Sequence, residues 1–252
     1  MFHLADADLR VLNSLTKYPS IPTHHRLDPH GKGSLLEECA VFTGPVVATE
    51  KVDGTNARII LTPDGSWLIG SRDELLTASG DIVANPALGI VDALRGLAES
   101  LRGERDAVEV YYLEVYGSKK LPAWRQYGQG EPAHRLFDLA TIPLDLLAWD
   151  PADISRWRDG GGQSFAAEAD LAEAARRAAI PMTPRLATFD GGELPGGVED
   201  MRAFLEPFKR TQAATDGTAG DSEGVVLRAP DRSLITKARF QDYDRTLKRR
   251  AR

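Results

Sequence analysis

Apolar residues gather in short runs over the first part of the chain. PVVATEKV (45–52) and NARIILT (56–62) are rich in β-branched residues and flank an Asp53-Gly54 pair, so they predict two strands joined as a hairpin. SWLIGSR (66–72) follows the turn-forming Pro63-Asp64-Gly65, and residues 45–72 are expected as an antiparallel meander. AVEVYYLEVYG (107–117) predicts a further strand from its β-branched and aromatic content. HRLFDLATIPLDLLAW (134–149) predicts a strand running into a loop or second strand, and SEGVVLRAP (222–230) and SLITKARF (233–240) predict two closing strands. SLLEECAVF (34–42) fits a short helix or a strand equally, because so short a run has no decisive period.

Elsewhere the period lengthens to that of a helix. PALGIVDALRGLAESLR (86–102) places Ile90, Leu94, Leu97 and Leu101 on one side, with Pro86 near its start and Gly103 after its end. Ser164 is expected to cap a helix over 165–179 that stops before Pro181. Its Phe165, Leu171 and alanines read as core packing. VEDMRAFLEPFKR (198–210) predicts a short helix interrupted near Pro207. RDGGGQS (158–164) reads as a flexible turn, and TQAATDGTAGDS (211–222) as a polar, mobile connection. No repeat or long low-complexity tract appears. The elements predict an α+β fold, antiparallel β-sheets with flanking helices. A chain of 252 residues is long enough to bury its own core.

Composition narrows the picture only a little. Hydrophobic, charged and aromatic contents are ordinary for a globular protein. The lone Cys39 has no internal disulfide partner and reads as a small buried hydrophobe. The N-terminus lacks a signal-peptide pattern and no run has the length of a membrane span, so no membrane partner is expected and a cytoplasmic location is the default. A net charge of −6 argues against general nucleic-acid binding. The charge is uneven, however. The last sixteen residues carry a balance of +5, leaving −11 on the rest. That basic end reads equally as a surface for phosphates or as a solvated helix with a frayed tail.

The candidate chemistry starts at Glu50-Lys51-Val52-Asp53-Gly54-Thr55-Asn56. A lysine closing an apolar strand just before an Asp-Gly turn is held at the mouth of a sheet. An amine set there among other cations gives up its proton more readily and becomes a nucleophile. Read alone, the same residues describe a surface hairpin with an ordinary lysine. Glu114 on an apolar strand, Glu223 at the start of another, and Lys237 and Arg239 two apart on the next each read alone as edge-strand charges. Together they supply a nucleophile, two carboxylates for metal or ribose, and cations for phosphates. Phosphoryl transfer needs that set, because its catalysis is mostly positioning and charge neutralisation. His24, His25 and His30 lack metal-ligand spacing and read as loop histidines.

The order Lys51-Val-Asp-Gly, Ser71-Arg72, Glu114, Phe137-Asp138, Glu223-Gly-Val-Val and Lys237-Ala-Arg239 resembles motifs I, Ia, III, IIIa, IV and V of the covalent nucleotidyltransferases, the polynucleotide ligases and mRNA capping enzymes. Thr55-Asn56 and the upstream Lys17-Tyr-Pro-Ser-Ile-Pro resemble ATP-dependent RNA ligases of the second phage T4 type more than DNA ligases. The resemblance spans roughly residues 17–240.

That resemblance implies a ligase-type, ATP-grasp-like nucleotidyltransferase domain. It implies Lys51 as the residue that forms the lysyl-AMP bond, with Lys237 neutralising the α-phosphate and Glu223 holding a divalent metal, magnesium or manganese. Glu50, Arg72, Glu114, Phe137, Lys237 and Arg239 are implied around the nucleotide, with the Phe137 ring stacking on adenine, and Asn56 is implied for the steps after adenylylation. ATP is the implied AMP donor. RNA ends, nicked or paired, are the implied substrate, joined 5′-phosphate to 3′-hydroxyl in RNA repair. Three departures stand out. Arg239 replaces the family's second motif V lysine, motif III is a loose match, and the chain ends fifteen residues after Lys237. The expectation is therefore a single domain over 1–252, with no separate C-terminal domain and with an unidentified partner protein in its place. A DNA ligase, a GTP-dependent capping enzyme and a decayed end-binding module are the competing readings.

Overall fold

The computed structural model describes residues 2–84 and 89–251. In chain order the elements are α1 (Leu9–Leu15), β1 (His25–Leu27), β2 (Leu35–Cys39), β3 (Pro45–Lys51), β4 (Thr55–Leu61), β5 (Trp67–Ser71), β6 (Leu75–Ala78), β7 (Asp81–Ile82), α2 (Ile90–Ser100), β8 (Val108–Tyr116), α3 (Trp124–Tyr127), β9 (Ala133–Ile142), α4 (Pro151–Asp159), β10 (Ser164–Phe165), α5 (Glu168–Arg177), β11 (Arg185–Asp190), α6 (Val198–Leu205), β12 (Gly224–Arg228), β13 (Ile235–Arg239) and α7 (Phe240–Arg250). They divide between two compact units, one of Met1–Pro19, Gly54–Trp124 and Gln129–Met182, the other of Ser20–Asp53, Arg125–Gly128 and Thr183–Arg252. Among the described residues no helix is long and apolar enough to cross a membrane.

The first unit is built on an antiparallel sheet in the order β10-β9-β8-β4-β5-β6-β7. Both faces of its centre are covered, which is why β4 and β8 read as nearly continuous apolar runs. Ala57, Ile59, Leu61, Tyr111, Leu113 and Val115 pack on one side with Leu94 of α2 and Leu171 of α5. Ile60, Val110 and Tyr112 pack on the other with Leu12 and Leu15 of α1 and Ile154 of α4.

The second unit carries a four-stranded sheet, β11-β3-β12-β13, and the β1-β2 ribbon. Here one sheet face is apolar. Val46, Ala48, Val225, Leu227 and Ala238 pack against Met201 and Leu205 of α6 and Phe240 and Tyr243 of α7. The basic terminal helix is therefore part of the core. Tyr243 is 1 % exposed, and its hydroxyl lies 2.8 Å from His25 Nδ1. Arg245 and Arg249 donate to the backbone oxygens of Gly33 and Lys32 at 3.0 and 3.1 Å. This is neither a frayed tail nor a loose arm, although Lys248, Arg249 and Arg250 remain exposed.

Several expectations change. β3 and β4 do not form a hairpin, since β3 pairs with β11 and β12, and β4 with β5 and β8. Gly54 lacks the positive φ that a two-residue hairpin turn of the Asp-Gly kind demands. It is needed for closeness instead, because a Cβ there would stand 2.4 Å from the Val115 carbonyl oxygen. The meander thus begins at β4. Residues 34–42 resolve as strand β2. Ser164 caps nothing. It pairs with Thr141 in β10, and α5 starts at Glu168. α1, α4 and β11 were not anticipated, yet Asp8 and Asp150 cap the two helices by accepting from Arg10 and Ala152 N–H groups, and Asp150-Pro151 is a readable start signal. Pro86 lies outside the described residues. Residues 211–222 are tied to their own unit, with Thr211 N–H donating to Gly220 O at 3.1 Å and Thr215 N–H to Tyr127 O at 2.8 Å.

His24 gives this fold a pH dependence. It is 2 % exposed, and burial, with a smaller push from His25, lowers its pKa to about 4. The unfolded ring titrates near its ordinary 6.5. Between those values the unfolded chain takes up a proton that the fold refuses, so stability falls as pH drops through that window. The contribution is on the order of 2 kcal/mol by pH 4.5. Thermal melts at pH 7 and 4.5 are expected to show His24→Gln losing less stability on acidification than the native chain. Equal losses would remove His24 as the cause.

Candidate active site

The site is a consequence of strand register. β12 lies between β3 and β13, so Lys51, Gly224 and Arg239 fall in one cross-strand row and Thr49, Val226 and Lys237 in the next. Alternation along each strand turns these residues to the face opposite Ala48, Val225 and Ala238. Lys51, Lys237 and Arg239 therefore share one side of the sheet, with the buried Arg228 further along β12. Gly224 leaves bare the middle of the row that carries two of them.

Glu223 enters this row from the residue before β12. Its backbone is fixed on both sides, donating to Lys51 O and accepting from Phe240 N–H, each at 3.2 Å. Its carboxylate is ion-paired through Oε2 with the Lys51 ammonium, while the Nη1 of Arg239 lies 3.6 Å from Oε1. The three side chains are 25, 17 and 26 % exposed, sheltered enough to strengthen the attraction and open enough to meet a ligand. Lys237 is held by its backbone, which accepts from His24 N–H at 2.8 Å and donates to Pro22 O at 2.9 Å.

Asp53 completes the local charge pattern. It is half-buried, and its N–H donates to the Tyr127 phenol oxygen at 3.0 Å. Burial and the neighbouring Glu223 charge raise its pKa, with Lys51 and Arg239 opposing. Burial also pushes the Tyr127 phenol well above its usual range. Glu50 behaves differently from its neighbour Lys51. It is 1 % exposed and stands on the core-side face opposite Val225. There its carboxylate accepts from the Thr211 hydroxyl at 2.5 Å and from Gln212 N–H at 2.7 Å. Its side chain is thus not brought beside the Lys51 amine.

The remaining candidates lie on the seven-stranded sheet. Asn56 and Glu114 are direct partners across β4 and β8. Glu114 Oε1 accepts from Gly54 N–H at 3.0 Å, and Asn56 Oδ1 is a buried oxygen with no hydrogen-bond partner. Arg72 is exposed, and its carbonyl accepts from Arg58 at 3.1 Å. Arg58 is wholly buried, which lowers its pKa to about 10. Phe137 falls at a register shift between β8 and β9, and its ring meets Tyr18 edge-on at 5.0 Å. Tyr18 in turn donates to Asp138 Oδ2 at 2.8 Å. Among the described residues no group of three or more His, Cys, Asp and Glu side chains gathers as a metal site, and His24 and His25, expected in a loop, are buried, His25 in β1 with its ring nitrogens 2.8 Å from Tyr243 Oη and 3.0 Å from Gly196 O.

The structure therefore brings Lys51, Glu223 and Arg239 into contact, with Lys237 one row away. Asn56 and Glu114 are neighbours on the other sheet, which also carries Phe137, while Arg72 follows the end of β5. Sequence reasoning missed the roles of Asp53, Tyr127 and Thr211. Asp53 was visible as part of the Asp-Gly turn, whereas nothing local marked the other two.

The family model for RNA ligase matches residues 44–249. The chain belongs to the RNA ligase family. The matched span includes every residue of the charge cluster and every motif residue from Lys51 to Arg239. No curated protein matches the chain. Among solved structures it resembles Naegleria gruberi RNA ligase with PPi, at a TM-score of 0.59 and 13% identity, over 94% of this chain and 59% of that one. An apo variant of the same ligase gives a TM-score of 0.59 at 12% identity, with coverages of 94% and 59%. A variant with ATP and Mn gives 0.55 at 12% identity, with coverages of 91% and 62%. At these identities the likeness establishes the fold, antiparallel sheets with flanking helices, as the α+β reading expected. The chain spans about three-fifths of the length of those ligases.

Gly224 is the tightest point of the row. A Cβ there would stand 2.2 Å from Ala238 O and 2.7 Å from Arg239 Cα, backbone atoms with no rotamer to yield. Gly224→Ala is expected to cost on the order of 2–3 kcal/mol. Gly196→Ala, with nothing within 4 Å, should be near neutral. Denaturant melts of both variants measure this, and equal stabilities would contradict the register-based account.

Proposed function

We propose that this chain is an ATP-dependent RNA ligase that works through a lysyl-AMP intermediate and is of the second phage T4 type. The observation that carries the reading is the Lys51 amine paired with Glu223 beside Arg239, on the sheet face that also bears Lys237. In the first step Lys51 Nζ, having lost a proton for which Glu223 is the adjacent acceptor, attacks the α-phosphorus of ATP. A P–N bond forms, the bond to the bridging oxygen breaks, and pyrophosphate leaves. Lys237 and Arg239 offset the charge that builds on the phosphates. AMP then passes to an RNA 5′-phosphate, and a 3′-hydroxyl displaces it to seal the strand.

The other assignments follow the family pattern. Glu114 takes a ribose hydroxyl, Arg72 a phosphate or the ribose, Phe137 the adenine ring, and Asn56 acts after adenylylation. Glu50 contributes through its backbone position and its hold on Thr211 and Gln212. A magnesium or manganese ion fits the donor set, since Glu223 and Asp53 offer hard carboxylate oxygens, and the Asp53 pKa is raised first by burial and then by the Glu223 charge, both of which a divalent cation would offset. When bound, the ion supplies positive charge to the phosphates. Naegleria gruberi RNA ligase variants have been seen with ATP and Mn, which accords with this assignment. The two units are proposed to act as one nucleotidyltransferase domain, with a partner protein supplying further grip on paired or nicked RNA.

Incubation with labelled ATP, GTP or NAD and magnesium or manganese, followed by a denaturing gel, tests the first step. Label is expected from ATP alone, and Lys51→Ala is expected to abolish it while leaving the melting temperature within a few degrees. An adduct that persists in Lys51→Ala would show that another residue is the nucleophile. Nicked RNA with a 5′-phosphate and a 3′-hydroxyl is expected to be sealed by the native chain.

A further inference from the structure

Arg239 does not stand free in the site. Its Nε donates to Asp242 Oδ2 at 2.7 Å and its Nη2 to Asp242 Oδ1 at 3.1 Å, so one whole edge of the guanidinium is held by a bidentate pair. The Asp242 side chain is 1 % exposed. It sits in the first turn of α7, where the helix dipole favours a carboxylate. Arg245 Nη2 reaches the same Oδ1 at 3.0 Å, and Arg245 Nη1 donates to Gly33 O at 3.0 Å. With Nε and Nη2 engaged, the remaining nitrogen of Arg239, Nη1, is the one turned toward Glu223, at 3.6 Å. The result is a line of alternating charge, Asp242, Arg239, Glu223, Lys51, running from the terminal helix to the nucleophile, with Arg245 tying Asp242 to the Gly33 backbone.

We propose that Asp242 is a positioning residue for adenylylation. By gripping the inner edge of Arg239 it fixes the direction of Nη1, so that this group meets the phosphates and keeps Glu223 against Lys51. A lysine at 239 has a single nitrogen and cannot hold Asp242 with one edge while offering another to a ligand. The arginine in place of a second motif V lysine is therefore matched to Asp242. The proposal rests on the lysyl-AMP reading for its consequence, while the Asp242–Arg239 coupling itself stands on the contacts.

The test is a double-mutant cycle on single-turnover adduct formation across a range of ATP concentrations, with Asp242→Asn, Arg239→Lys and both together. Each single change is expected to slow the adduct by about tenfold or more at saturating ATP, and the pair is expected to be no slower than Arg239→Lys alone, since coupled residues are non-additive. Arg245→Ala serves as the structural control. It removes the other arm on Asp242 and is expected to lower the melting temperature without slowing the adduct. Multiplicative losses in the double variant, or an Arg245→Ala defect equal to that of Asp242→Asn, would overturn the proposal. If the native chain forms no adduct, the lysyl-AMP reading fails by itself. The same cycle is then read from calorimetric binding of inorganic pyrophosphate, where non-additivity supports the coupling and additivity refutes it.

Discussion

The pairing of β12 with both β3 and β13 is the constraint on which the site depends. A side chain cannot choose its face in a sheet independently of its neighbours, because a slip of one residue turns the whole strand over. Here the apolar residues of three strands, Ala48, Val225 and Ala238, must meet α6 and α7. Once they do, Lys51, Arg239 and Lys237 are delivered to the other face without any further device. The energy that fixes the register is hydrophobic burial. The cationic face is the one that burial leaves over.

The same logic explains how adjacent residues acquire unlike tasks. Glu50 and Lys51 are neighbours in sequence and opposites in the sheet. Glu50 is turned to the core side, where a charge is costly unless it is hydrogen-bonded, and Thr211 and Gln212 satisfy it. That bond in turn holds the start of the 211–222 segment, which by composition alone looked unattached. A buried carboxylate thus gives order to a polar connection, and Lys51 keeps its own carboxylate, Glu223, from the residue before β12.

Much of this was legible in the chain, and the reasons for the rest are physical. The strands around 45–72, 107–117, 134–142 and 224–239 announced themselves through β-branched content, and α2 through its 90, 94, 97 spacing. The shared face of Lys237 and Arg239 followed from their separation by two. What the sequence could not carry was partnership. Asp53-Gly54 reads locally as a hairpin turn, yet the residues flanking it belong to different sheets, and only the missing positive φ at Gly54 and its closeness to Val115 reveal another use. Ser164 matched a cap by type, but two residues of β pairing with β9 took precedence. α4 was signalled by Asp150-Pro151 and was overlooked because its low apolar content gives no stripe to see.

Charge shows the limit of composition most clearly. The terminal basic cluster invites an interpretation as a free arm for nucleic acid, yet Arg245 and Arg249 spend hydrogen bonds on the β1–β2 connection, and the inner turns of the helix carry Tyr243 and Asp242 into the core. A net negative chain can nevertheless gather cations on one face, because what matters is the local arrangement across β3, β12 and β13 and not the total. Asp242 belongs to that arrangement although it adds a negative charge. A buried anion that consumes one edge of a guanidinium leaves the other edge with a fixed direction. For a transferring phosphoryl group, whose stabilisation depends on preorganised charge more than on the amount of it, direction is the scarcer quantity.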